Sequence, residues 1–177
     1  MADTGQMIEN PVTGERMTFR RTSADTGGAE LVVELELRAG AFLPAEHIHR
    51  RQEERFTVLD GRLLLRSGGN ERLVTAGESV AVPAGTAHAW STDGSTPARV
   101  AITFTPAGSA EHFFETFFRL AREGKVNDRG LANPIRMAQL SRTYDIFLAR
   151  PPIAVQRPVF AMLDALGRVL RYERFPV

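Results

Sequence analysis

Three of the four histidines in this 177-residue chain fall in two short stretches, His47 and His49 in one and His88 in the other. His47 and His49 are two residues apart, so on a β-strand both rings point to one face. Glu54 follows at the start of the strand-forming run Arg55-Phe56-Thr57-Val58-Leu59. That run ends at Asp60-Gly61, a signal that predicts a hairpin and a returning strand. Two imidazoles and a carboxylate gathered this way suit a divalent transition ion, because imidazole is a borderline ligand and the carboxylate adds negative charge. Glu53 competes with Glu54, but strand alternation turns only one of them inward. With Glu54 inward, Phe56 and Val58 share its face as candidate pocket walls. A fourth donor is available in His88, which follows the turn Pro83-Ala84-Gly85. There Pro83 fixes the entry and Gly85 supplies a positive φ. Trp90 lies two residues after His88 and shares its face, as pocket wall or as core. His112 sits beside Phe113 on a predicted helix and reads as a surface or capping residue. Arg50, Arg51 and Arg55 read as solvated surface.

These two stretches resemble the paired signatures of the cupin superfamily, small β-barrels that bind a metal inside. In the first, Gly40, His47, His49, Glu54 and Gly61 follow the family's order, with one extra residue between Gly40 and His47. In the second, Gly77, Pro83, Gly85 and His88 fit, and Thr92 stands where the family carries asparagine. The resemblance spans residues 17–105. It implies that His47, His49, Glu54 and His88 are the metal ligands, around Fe, Zn, Ni or Mn. Glu54 would stay a ligand or detach to act as a catalytic base. It also implies a mainly β fold, an antiparallel double-stranded β-helix or jelly-roll barrel, and a homodimer.

The elements that must hold these residues are legible as patterns. Leu31, Val33, Leu35 and Leu37 alternate with polar neighbours, a clean period of two. About nine short strands are expected between residues 17 and 105, which argues for an antiparallel sandwich or barrel. Residues 1–15 read as a lead-in across a sheet edge. After Pro106 the pattern turns helical. Helices are predicted over 110–123, with Phe113, Phe114, Phe117 and Phe118 on a broad apolar face, over 135–147, and over 157–172. The expected organisation is a barrel domain over 1–106 and a helical extension over 107–177. Those helices, expected to lack a core of their own, must pack on the barrel, on each other or on a second subunit.

Composition narrows the partners. A net charge of +1 gives no argument for nucleic acid. No cysteine is present, so disulfides, thiolate nucleophiles and sulfur-ligated metals are excluded. No stretch approaches a membrane span, and no signal peptide is visible, so a cytoplasmic protein is expected. The final helix carries Arg157, Arg168, Arg171 and Arg174. Packing on the barrel or a dimer mate is preferred to its lying on an anionic membrane surface. The expected function is metal-dependent action on a small, partly apolar or aromatic molecule, dioxygenase-like by resemblance. The alternatives are an isomerase or lyase using Zn, Ni or Mn, and a non-catalytic small-molecule-binding module.

Overall fold

The structure, a computed structural model, describes residues 2–176. The end residues of the two expected segments, Met1 and Val177, lie outside it. Ten strands precede the helical part: β1 (Met7–Glu9), β2 (Arg16–Arg21), β3 (Leu31–Leu37), β4 (His47–His49), β5 (Glu53–Asp60), β6 (Arg62–Ser67), β7 (Asn70–Thr75), β8 (Ser79–Val82), β9 (His88–Thr92) and β10 (Ala98–Thr105). A single helical turn, α1 (Ser23–Thr26), bridges β2 and β3. Then follow α2 (Ala110–Arg122), α3 (Pro134–Tyr144), a last strand β11 (Ile146–Leu148) and α4 (Ile153–Val169). All nine expected strands are present. The two additional ones, β1 and β11, are three-residue edge strands too short for their alternation to stand out.

All strand pairs are antiparallel and fall into two sheets. One runs β1-β2-β3-β10-β5-β8 and the other β11-β4-β9-β6-β7. The sheets face each other but do not close into a barrel, which corrects that part of the expectation. The turn at Asp60-Gly61 shows why. β5 pairs with β10 and β8, whereas β6 pairs with β9 and β7. The predicted hairpin is therefore a corner at which the chain changes sheets. Gly61 has φ 73°, and a Cβ there would stand 2.3 Å from the carbonyl oxygen of Pro97. Only glycine permits that backbone approach.

Alternate residues of β3 and β10 fill the space between the sheets. Leu31, Val33, Leu35 and Leu37 are buried on one strand and Val100, Ile102 and Phe104 on the other. Phe118 of α2 joins this core. The helices also have a small core of their own, built from Leu120, Ala132, Leu140, Tyr144 and Phe175, with Phe117 packed against both clusters.

The helix predicted over 135–147 stops at Tyr144. Asn133 caps its start by accepting from the backbone N–H of Arg136, and Pro134 occupies the first turn. Asp145 takes a left-handed conformation at φ 59°, and the chain turns into β11. The last helix starts four residues before the predicted Arg157 and ends at Val169, because Arg171 again turns left-handed at φ 59°. Among the described residues, no helix is long and apolar enough to cross a membrane.

Candidate metal centre

The two sheets meet at one cluster of polar side chains. β4 brings His47 and His49, and β9 brings His88 opposite His47 in register. β5, in the other sheet, brings Glu54. One donor atom from each of His47, His49, Glu54 and His88 lies within 4.8 Å of every other. Nε2 of His47 and Nε2 of His49 are 3.0 Å apart. Oε1 of Glu54 lies 2.5 Å from Nε2 of His49, 3.3 Å from Nε2 of His88 and 3.8 Å from Nε2 of His47. Glu54 faces inward and is buried, while Glu53 faces out and pairs with Arg55.

Carbonyl and amide groups behind the rings fix how they point. Nδ1 of His88 bonds the carbonyl of Thr86 at 3.0 Å. Nδ1 of His49 bonds Oε1 of Gln52 at 3.0 Å. The amide of Gln52 is anchored in turn, donating to the carbonyls of Pro106 and Ala107 at 2.8 and 2.6 Å. With Nδ1 engaged, each Nε2 is left for the centre, the arrangement that orients a ligating imidazole. Sequence reading passed over Gln52, because its partners are carbonyls more than fifty residues away.

The cluster fits a cation. Oε1 of Glu54 and Nε2 of His88 are fully buried, yet neither makes a hydrogen bond of acceptable geometry. Buried polar atoms are rarely left so, and an absent ion is one of the few explanations. The donor set, three imidazole nitrogens and one carboxylate oxygen, suits Zn, Fe, Ni or Mn. Burial pushes His47 down to about 4, which leaves a neutral ring able to donate a lone pair. Burial alone would raise the Glu54 carboxyl. The His49 imidazole and the close nitrogens of His47 and His88 outweigh it and hold the group well below the usual carboxylate range. Burial likewise lowers His88, but Glu54 and the Thr86 carbonyl raise it further than burial lowers it.

A cavity of about 130 Å³ opens onto the His47, His49 and Glu54 side of this cluster. Its walls are otherwise almost wholly apolar. Trp90, Ile102 and Phe104 come from the sheets, Phe113, Phe114 and Phe117 from α2, Leu140 from α3, and Phe147 from β11. Two of the expected pocket residues, Phe56 and Val58, do not line it. They share the face of Glu54 but lie one and two steps deeper along β5, each step about 6–7 Å. There both are buried in the core, with Phe56 edge-on behind His88.

The remaining expected positions are plain. His112 is not among the grouped donors, and its Nδ1 lies 3.5 Å from Glu115. Arg51 is 83% exposed, and Arg55 is exposed beside Glu53. Arg50, expected on the surface, pairs with Asp145 and stacks over Phe147, tying β4 to the turn before β11. Thr92 uses its hydroxyl on the carbonyls of Arg38 and Ala41, steadying the approach to β4.

A family model described as a cupin domain matches residues 33–104. Among solved structures, an RmlC-like cupin from Shewanella frigidimarina NCIMB 400 superposes with a TM-score of 0.51 at 22% identity, over 63% of this chain and 94% of its own. KdgF from Halomonas sp. gives 0.52 at 16% identity, over 60% and 90%. A protein from Thermotoga maritima described as a predicted oxalate decarboxylase gives 0.51 at 18% identity, over 58% and 92%. At these identities the likeness is one of fold. No curated protein matches the sequence.

Proposed function

We propose that the protein, whose residues 33–104 match a family model described as a cupin domain, is a metal-dependent cupin acting on a small, partly apolar organic molecule, with dioxygenase-like chemistry. His47, His49, Glu54 and His88 are the proposed ligands of a divalent transition ion. The observation that carries this reading is the convergence of four donors from both sheets at the head of a largely apolar cavity. A divalent ion held there supplies Lewis acidity, and iron would add oxidative chemistry with dioxygen. Three neutral imidazoles and one carboxylate leave such a site with one net positive charge. It therefore attracts an oxygen atom of the ligand.

The chain's own residues do the rest. Gln52 and the Thr86 carbonyl keep two imidazoles aimed inward. The aromatic walls exclude water and favour an apolar body over a charged one. Glu54, the carboxylate at the ligand end of the cavity, would stay on the ion or, on detaching, accept a proton from a bound acidic C–H or O–H group.

Elemental analysis of freshly purified protein, followed by oxygen-uptake assays with added Fe(II), tests the proposal. One equivalent of transition metal and substrate-dependent oxygen uptake are expected. Turnover that persists unchanged without oxygen would replace dioxygenation with isomerase or lyase chemistry. Ligand binding without turnover under any metal would leave a binding module. Protein that neither carries nor takes up a metal would end the reading.

A further inference from the structure

The apolar cavity does not stop beside the metal ligands. Its wall also includes Met17 and Leu35, and beyond them the carboxyl-bearing Glu15. Register gives the distance. Phe104 pairs with Glu54 on one side and with Leu31 on the other, which marks the ligand end of the sheet. Leu35 is four residues further along β3 and pairs with Met17. At strand rise this is about 13 Å. β2 runs antiparallel, with Arg16 opposite Glu36, so Glu15 continues in the same direction and extends the span to roughly 20 Å. The space in which a water-sized sphere can centre itself is about 130 Å³, and over such a length that makes a slender lumen. Its roof is the helical extension, with Phe113, Phe114 and Phe117 along it.

Glu15 is 8% exposed, so its carboxyl has been taken out of water. Burial raises it above the ordinary carboxylate range, against the lowering effects of Thr13 and Arg38. Thr13 and Arg38 offset only part of the cost of burying this carboxyl, which therefore gains from a further hydrogen bond offered by a ligand at this end.

We propose that the ligand is an elongated, flexible apolar chain, with an oxygen at the end near His47, His49 and Glu54 and a second hydrogen-bonding group at the far end held by Glu15. This deepens the function proposed above, since it rests on the same cavity holding the organic ligand. Two separate polar ends joined by an apolar lumen select for length as well as for chemistry. A fused-ring hydrocarbon carries no polar group for either end, and a short chain reaches only one.

The experiment reads the single tryptophan. Trp90 is the only one in the sequence and lines the cavity, so its emission reports occupancy without any catalytic assay. Terminal diols from hexane to hexadecane, the matching mono-alcohols and anthracene are titrated against the full chain. The diols should show an optimum chain length at which they bind more tightly than the mono-alcohol. Glu15→Leu should weaken the optimal diol about tenfold and erase its advantage over the mono-alcohol. Glu15→Gln, which keeps a hydrogen-bonding end, should retain most of that advantage. A steady rise with length and no optimum, anthracene binding as tightly as the best diol, or an unchanged Glu15→Leu would overturn the proposal. The same titration on His88→Ala separates the two ideas. Length selection that survives in this variant shows that the channel stands whatever becomes of the metal. Loss of length selection in wild-type protein that carries its metal refutes the channel alone.

Discussion

At the scale of single residues, the centre depends on which atoms are left unpaired. Replacing His88 by alanine removes one donor outright, and metal content measured by elemental analysis should fall close to zero. Gln52 acts one step back, through Nδ1 of His49. Gln52→Leu should weaken metal affinity by about 10–100-fold, as losses of such partners do, with the protein still folded. Competition against a chelator measures it, and unchanged affinity would show that the bond to His49 is incidental. The four donors were legible in the sequence because their types and spacings are local, and His47 and His49 need only strand geometry to share a face. Gln52 and Glu15 were not, because the carbonyls that anchor Gln52 and the apolar walls beside Glu15 come from segments distant in sequence.

At the scale of elements, β4 is weakly held by the strands that precede α2. β4 shares one register pair with β9, His47 opposite His88, whereas β11 adds three, from Ile146 opposite His49 to Leu148 opposite His47. Proline at Phe147 should disturb the β11 edge and loosen β4. Metal affinity should then drop several-fold while far-ultraviolet circular dichroism stays close to wild type. The turn after β9 allows a pH test. Asp93 accepts from the backbone N–H groups of Ser95 and Thr96 and pairs with Arg62, and the two backbone bonds hold its carboxyl down at about 2. Its folded value lies below the ordinary 3.8. Its contribution to stability is therefore complete above that value and is lost as pH falls through about 2. Asp93→Ala should lower the melting temperature at neutral pH. The difference from wild type should shrink between pH 4 and 2, and a constant difference would contradict the assignment. The Asp60-Gly61 corner and β11 were misread from sequence for one reason. Whether a turn closes a hairpin or changes sheets, and whether three apolar residues continue a helix or cap an edge, depends on partners that local pattern does not contain.

At the scale of the whole molecule, a large core and a small one share Phe117, and the helices roof the cavity that the sheets begin. Phe118 is fully buried in the larger core, so Phe118→Ala should destabilise the protein by about 3–5 kcal/mol. Met162 on α4 is 65% exposed, and Met162→Gln should stay within about 0.5 kcal/mol. Urea unfolding of both variants checks the contrast. The two-sheet fold was legible because alternation and turn signals recur throughout residues 17–105. The channel was not, since it exists only where the helices after Pro106 come to rest on the sheets. That arrangement bears on how the protein is made. A ribosome that has just released the first 105 residues has already delivered all four metal-binding side chains. β4 then still lacks the neighbour it gains from β11, about a hundred residues downstream. The centre matures late in synthesis, and a prematurely terminated chain would carry its donors without the strand that steadies two of them.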